Sequence, residues 1–221
     1  MNGFDSLIAK SLALTISENL GEMELKRIEQ RLFERYGLNL TEAIEDFPKL
    51  DEVLKEYFGN NAAQRLEKQF LQAVISLQGQ KIQDLEWISI ENRHLATEIL
   101  SAFGDEDKKN ILNAALGQGI VISDILDICK IPQTSGYRKV NSLIDNGLLI
   151  SDGTITLHDG KSVNKYRCLF NNLEINFEKD KVVVRVQAVK ESLQRSSVIQ
   201  SVYRQSSKMA ALVAPKGASP K

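Results

Sequence analysis

The chain is poor in the residues that build disulfide frameworks and metal centres. Its 221 residues include two cysteines, Cys129 and Cys168, and two histidines, His94 and His158. Their separations match no spacing that a zinc site requires, so neither metal sensing nor a disulfide framework is expected. Two cysteines also fit a reducing compartment, and the sequence predicts a cytoplasmic protein.

Long apolar runs and catalytic motifs are lacking as well. No run approaches the roughly 18 residues that would span a bilayer, and the N-terminus has no basic-then-apolar signal pattern. The sequence contains no phosphate-binding loop, no dinucleotide-binding glycine pattern and no nucleophile elbow. Nothing here argues for an enzyme, a bound cofactor or a membrane protein, and a non-enzymatic function is expected.

The net charge of −1 is unevenly divided along the chain. Residues 1–103 hold 11 Lys and Arg against 17 Asp and Glu, a net of −6, whereas residues 104–221 hold 17 against 12, a net of +5. Residues 104–187 are neutral, so the basic excess lies in residues 188–221, where six basic side chains face Glu191 alone. This division favours an acidic regulatory half and a half that faces nucleic acid.

The N-terminal part, residues 1–80, predicts a helical regulatory domain. Apolar residues recur there at helical spacing, and glycines, a proline and a threonine mark where helices begin or end. The predicted helices are Phe4–Leu20, Glu22–Tyr36, Thr41–Phe47 with Thr41 as its cap, Pro48–Phe58 and Asn61–Leu77. Residues 81–103 are predicted to join the halves, with a loop or short extended piece over Lys81–Ile90 and then a connecting helix over Asn92–Phe103.

Residues 104–187 predict a helix, a second helix, a sharp turn, a third helix and a β-hairpin, which is the order of a winged helix-turn-helix domain. In the second helix apolar residues recur at i, i+3, i+4 and i+7, so one face is apolar. Pro132 suits the first position of the third helix, and Gly147 suits a left-handed cap at its end. The predicted elements are the helices Asp105–Leu116, Ile122–Cys129 and Gln133–Asn146, the turn Lys130–Pro132, the hairpin Leu148–Phe170 with Asp159 and Gly160 at its tip, and an extra hairpin of Leu173–Phe177 and Val182–Gln187.

Two stretches of the chain resemble known families. The segment IPQTSGYRKV (Ile131–Val140), followed by LIDNGLL (Leu143–Leu149), resembles the recognition helix of ArsR-like archaeal winged helix-turn-helix regulators. With the hairpins up to Gln187, this resemblance covers somewhat over a third of the chain and implies DNA binding. The N-terminal bundle resembles a small helical output-type domain of archaeal signalling regulators, through RLFERYG (Arg31–Gly37) and the apolar frame from Phe47 to Gly59. The expected fold class is therefore mainly α with a small β component, as a helical bundle followed by a winged helix-turn-helix domain.

Nine residues of the third helix and the hairpin wing are the candidate DNA-binding residues. They are Gln133, Thr134, Ser135, Tyr137, Arg138, Lys139, Asn141, Lys161 and Lys165. Arg138 suits a guanine edge because arginine can pair with both acceptors there, whereas Lys139 suits a phosphate. Lys161 and Lys165 suit phosphate or the minor groove.

Each candidate also has a plain structural explanation. Arg138 and Lys139 could form a solvated helix face, and the two wing lysines could serve solubility alone. Thr134 and Ser135 could cap the helix, and the ring of Tyr137 could pack on the wing. Gly136, which costs about 1 kcal/mol within a helix, could allow close approach to DNA or tight packing between helices.

The predicted function is transcriptional regulation by sequence-specific DNA binding, with the N-terminal domain sensing or relaying a signal. The alternative is an adaptor whose winged helix docks a protein partner. Expected partners are double-stranded DNA and a second copy of the chain, because one neutral winged helix offers few phosphate contacts. A signalling or transcription-machinery protein is a further candidate, through the N-terminal domain.

Residues 188–221 predict a basic C-terminal helix, Ala188–Ser207, and a disordered tail over Val213–Lys221. The helix is the first candidate for a dimer contact, because its apolar stripe has no obvious partner within the chain. The stripe consists of Val189, Leu193, Ile199 and Tyr203. The helix Asn92–Phe103 and the hairpin Leu173–Gln187 are the other candidates.

Overall fold

A computed structural model describes residues 3–77, 87–157, 160–178 and 181–202. Within these ranges the chain is mainly helical with a small β component, as the sequence predicts. The strands form two small antiparallel sheets. The helices are α1 (Gly3–Asn19), α2 (Glu22–Tyr36), α3 (Leu40–Glu45), α4 (Phe47–Phe58), α5 (Asn60–Val74), α6 (Arg93–Gly104), α7 (Glu106–Ala114), α8 (Ile122–Cys129), α9 (Gln133–Asp145) and α10 (Lys190–Arg195), and residues 197–202 are also helical. The strands are β1 (Ile75–Leu77), β2 (Ile88–Ile90), β3 (Ile120–Val121), β4 (Leu149–Thr156), β5 (Ser162–Cys168), β6 (Phe170–Glu178) and β7 (Lys181–Ala188).

Helix α1 lies at the centre of the molecule. It is apolar on most of its circumference, as a helix enclosed by others must be, and it packs against α3, α5, α6, α10 and β4. Phe4, Ile8 and Leu12 are almost fully buried, and they belong to one hydrophobic cluster that also includes side chains from the C-terminal half. The bundle and the C-terminal half therefore share a core.

Local capping sets several helix starts. Asn39, rather than the predicted Thr41, caps α3: its side chain accepts from the Glu42 N–H, and the Glu42 side chain accepts from the Asn39 N–H. Such a reciprocal pair satisfies two donors that a helix start leaves open. Asn92 and Asp105 cap α6 and α7 with one hydrogen bond each: the side chain accepts from the N–H three residues later.

The predicted helix Asn61–Leu77 was wrong at its end, because α5 ends at Val74. Ile75 is extended (φ −140°, ψ 150°), and it begins β1, which pairs with β2. The extended piece expected within Lys81–Ile90 contains β2, while residues 81–86 lie outside the described residues. The resulting four-stranded sheet has the order β1-β2-β7-β6, so strands from both halves of the chain pair within it.

The second sheet has three strands in the order β3-β5-β4. It follows α7, α8 and α9 in the chain, except that β3 comes between α7 and α8. Strand β3 has two residues, which is too short to produce a sequence pattern. At the tip of the β4–β5 hairpin Gly160 is left-handed (φ +81°), whereas the predicted tip residue Asp159 lies outside the described residues.

The predicted C-terminal helix was wrong in two respects. It breaks at Ser196 into α10 and the helix 197–202, and its apolar stripe is not free for a second copy. Leu193 and Ile199 are 1% and 0% exposed, and they pack into the core of the chain itself. Tyr203 and the tail Val213–Lys221 lie outside the described residues. None of the described helices is long and apolar enough to cross a membrane.

Candidate nucleic-acid interface

Helices α8 and α9 pack closely because a glycine lies where they meet. A Cβ added at Gly136 would come within 2.4 Å of Leu126 Cδ2 and 2.9 Å of its Cδ1. Gly136, Val140 and Leu143 are buried on the same side of α9, and Lys130 takes a left-handed conformation (φ 55°) at the turn between the helices. Gly136 therefore faces the protein, which favours tight helix packing over close approach to DNA.

Gly136→Ala should accordingly change stability and leave nucleic-acid binding unchanged. Alanine gains about 1 kcal/mol in helix propensity, but overpacking at Leu126 costs about 1–3 kcal/mol, so we expect a small net destabilisation. Urea unfolding measures the first quantity and DNA titration of the folded protein measures the second. A loss of affinity without a loss of stability would instead place Gly136 at the DNA.

The opposite side of α9 is open to solvent. Thr134, Arg138 and Asn141 are exposed, and their spacing of four and three residues puts them on one helix face. Gln133 and Tyr137 are exposed beside them, the latter at 42%. Five of the nine predicted residues thus form a continuous polar surface, hereafter the α9 face, with one cation at its centre.

Lys139 points elsewhere. Its Nζ lies 2.7 Å from Asp105 Oδ1, 2.8 Å from Asp105 Oδ2 and 3.1 Å from Asp107 Oδ2. These hydrogen bonds raise the pKa of Lys139, and the bond from Lys139 lowers the pKa of Asp105. The side chain is 19% exposed and connects α9 to the start of α7. Lys139 would have to leave both carboxylates to reach a phosphate, so its position favours a structural role.

Ser135 is also turned away from the α9 face. It is half-buried, and its hydroxyl donates to the Pro132 carbonyl at 3.1 Å. Pro132 is the residue that precedes the helix, and no side chain caps the first turn of α9. The capping role considered for Thr134 and Ser135 is therefore not the one they take.

The β4–β5 hairpin places its two predicted lysines differently. Lys161 is exposed near the hairpin tip, where its carbonyl accepts from the Leu157 N–H at 2.8 Å. Lys165 is half-buried in the middle of β5, opposite Val121 of β3. Arg167, further along β5, lies 3.5 Å from Asp152 and 3.8 Å from Glu191, so its charge is offset within the protein.

Exposed apolar side chains occur in the same region. Ile128 on α8 is 62% exposed. Ile155 and Leu157, near the tip of the β4–β5 hairpin, are 47% and 41% exposed. Such side chains add nothing to phosphate binding, and clusters of them are typical of protein-binding surfaces. Their exposure favours a protein partner.

Burial disfavours the thiolate form of both cysteines. Cys168 is buried, which raises the pKa of its thiol to about 11, and burial also raises the pKa of Cys129. A thiol with a raised pKa stays protonated and weakly reactive. Across the described ranges, no group of three or more His, Cys, Asp or Glu side chains is placed to hold a metal ion.

Sequence reasoning missed the partners of Lys139, although a signal was present. On an α-helix, successive residues are about 100° apart, so Lys139 cannot share a face with both Arg138 and Asn141. Asp105 and Asp107 lie 34 and 32 residues earlier, at the start of α7, where the helix N-terminus itself already stabilises carboxylates. Nothing in the local pattern of α9 indicates that pairing.

Comparison with known proteins adds no relative. No protein-family model matches the chain, and neither a curated protein nor a solved structure matches it.

Proposed function

We propose that the protein is a DNA-binding transcriptional regulator that inserts α9 into the major groove. The observation that carries the proposal is the α9 face: Thr134, Arg138 and Asn141 project to solvent from a helix whose other side is anchored in the core. The order α7, β3, α8, α9, β4, β5, with the sheet order β3-β5-β4, supports a winged helix-turn-helix domain. An arginine with two polar neighbours suits the reading of base edges.

The wing supplies the second contact in this proposal. Lys161 near the tip of the β4–β5 hairpin meets the phosphate backbone, and Lys165 supports it from mid-strand. Ser135 and Lys139 are left out of the interface because their polar groups bind Pro132, Asp105 and Asp107. With few phosphate contacts per copy, two copies bind two half-sites about one helical turn apart.

The N-terminal bundle relays a signal to α9 through α1 in this proposal. Lys10 of α1 donates to Asn146, the residue after α9, at 2.8 Å. Gly3 and Leu7 of α1 lie against Gly147 and Ile150. A movement of α1 within the bundle would therefore reach the end of the recognition helix directly.

Arg138→Ala should weaken binding to a selected DNA site by about 1–3 kcal/mol, or roughly 5- to 150-fold, and relax preference at one base pair. The target is first selected from random DNA with the purified wild-type protein, and affinities are then measured across a series of salt concentrations. Arg65→Ala is the matched control, because Arg65 is an exposed arginine on α5, far along the chain from the α9 face. Equal affinity of the Arg138 variant and wild type would remove Arg138 from the interface.

A protein-docking adaptor is the second candidate, favoured by the exposed Ile128, Ile155 and Leu157. The two functions respond differently to salt. DNA binding through phosphate contacts weakens steeply as salt rises, whereas docking through apolar side chains does not. If no sequence is enriched from random DNA at low salt, the adaptor is the better explanation.

A further inference from the structure

The hairpin of β6 and β7 carries an apolar face that extends beyond the core. Its opposed pairs are Leu173 with Val186, Ile175 with Val184, and Phe177 with Val182. Opposed residues share one face of an antiparallel pair. Val184 is fully buried, whereas Ile175 is 40%, Val182 42% and Phe177 85% exposed. The apolar face is thus covered near the core and uncovered towards the hairpin tip.

Strand β6 is also the outer strand of its sheet. The order is β1-β2-β7-β6, and within the described part of the chain no strand pairs with the outer side of β6. Every side chain from Asn171 to Phe177 except Leu173 is exposed. A long edge strand with exposed apolar residues is a template for pairing with another strand.

We infer that two copies of the chain pair their β6 strands antiparallel about a two-fold axis at Ile175. In this register Leu173 of one copy lies opposite Phe177 of the other, on the apolar face. On the polar face, Glu174 lies opposite Asn176. Pairing centred on Glu174 would set two like charges opposite each other, which is destabilising, so the apolar and charge patterns select the same register.

The same register brings each Phe177 to a cavity on the other copy. A cavity of about 150 Å³ opens beside the first half of β6, lined in part by Phe103, Leu112, Leu116 and Leu173. Three asparagines, Asn113, Asn171 and Asn172, complete much of the lining, so the cavity offers both apolar and polar contacts to an aromatic ring. Phe177 of the second copy, opposite Leu173, has its ring within reach of this cavity.

A second copy suits this surface better than the chain's own C-terminal end. Val202, the last described residue, lies beside Leu71, Ile75 and Leu77 at the β1 edge, which is the opposite edge of the sheet. Pairing between the β6 strands of two copies also gives a closed dimer, because the same surface of each copy forms the interface. In the described part of the chain β1 has three residues, so that edge offers a much shorter template for pairing than β6 does.

Light scattering of the purified full chain tests the assembly. Wild type should have about twice the 24.8 kDa chain mass. Phe177→Glu should weaken the dimer roughly tenfold or more, without harm to the fold, since the side chain is 85% exposed. Leu116→Glu should do the same from the cavity side. Phe33→Glu is the matched control, because Phe33 is 71% exposed on α2, and it should stay dimeric.

Cross-linking tests the register. Residue 175 of one copy lies opposite residue 175 of the other only if the two-fold axis passes through it. Ile175→Cys should therefore form an intermolecular disulfide on mild oxidation, and Phe33→Cys should not. Circular dichroism and thermal melting of each variant establish that it is folded. A dimeric Phe177→Glu variant, or no cross-link at position 175, overturns the inference. A monomeric wild type overturns it as well. Slow amide hydrogen exchange at Phe177 in that monomer would indicate that residues beyond 202, and not a second copy, cover the outer side of β6.

Discussion

Gly147→Ala should lower the free energy of unfolding by about 3 kcal/mol or more, the sum of a left-handed alanine and an overpacked contact. Gly147 has φ +68°, a conformation that an L side chain adopts only at a cost. An added Cβ would also lie 2.4 Å from Leu7 N, 2.7 Å from Leu7 Cα and 2.9 Å from Gly3 O. These are backbone atoms of α1, which cannot turn aside as a side chain can.

Gly37→Ala separates the two causes. Gly37 ends α2 with the same φ of +68°, but nothing lies within 4 Å of an added Cβ. It should therefore show the conformational cost alone, about 1–2 kcal/mol. Urea unfolding of both variants gives the difference, which measures the contact between α1 and the end of α9. Equal losses of stability in the two variants would show that α1 makes no close contact with Gly147.

The elements around α9 were largely predictable because their signals are local. An apolar stripe at helical spacing defined α8, whose bounds agree with the prediction, and Gly147 stopped α9 within one residue of the expected end. The same periodicity placed Thr134, Arg138 and Asn141 on one exposed face, but it did not show that Ser135 and Lys139, which are also outside the stripe, are half-buried.

The remainder depends on contacts between distant parts of the chain. Strands β1, β2 and β3 have two or three residues each and exist because a partner strand lies beside them. The packing roles of Gly136 and Gly147 depend on Leu126 and on α1. A pattern within one helix carries no information about such neighbours, so sequence left Gly136 with two interpretations.

The C-terminal stripe shows the same difficulty. Its apolar residues were recognised, but the sequence did not reveal that α1 and the bundle cover them. One signal was available: Asp5 is a carboxylate amid the apolar residues of α1, and a buried carboxylate needs donors from elsewhere.

Asp5→Ala should cost about 3 kcal/mol of stability, because one buried and two half-buried donors lose their acceptor, and a buried donor costs about 1–3 kcal/mol when unsatisfied. The carboxylate accepts from the Ser196 hydroxyl, from the Ser197 N–H at 2.7 Å and from the Ser197 hydroxyl at 2.9 Å. Ser196 in turn accepts from the Ile199 N–H at 3.0 Å, at the start of the helix 197–202. Through these hydrogen bonds, Asp5 connects α1 to the C-terminal end of the described chain.

Glu18→Ala is the control for Asp5→Ala, because it removes an exposed carboxylate from the same helix and should change stability by less than about 0.5 kcal/mol. Urea unfolding followed by circular dichroism measures all three proteins. Equal stabilities for the two variants would show that Asp5 does not hold the C-terminal helix.

The pH dependence of the Asp5 contribution has a definite sign. Burial raises the pKa of Asp5 and outweighs the hydrogen bonds from Ser196 and Ser197, which lower it. The folded protein therefore binds the proton more tightly than the unfolded chain does. The resulting stabilisation is fully present below the unfolded pKa and is lost as pH rises through the folded pKa.

Asp5→Asn cannot titrate, so the stability of wild type relative to this variant should fall as pH rises from the ordinary aspartate range towards neutrality. Urea unfolding of both proteins across that range measures the difference, and the titration of all other carboxylates cancels. A difference that grows with pH would mean that the hydrogen bonds and the start of the helix 197–202 stabilise the ionised carboxylate more than burial disfavours it.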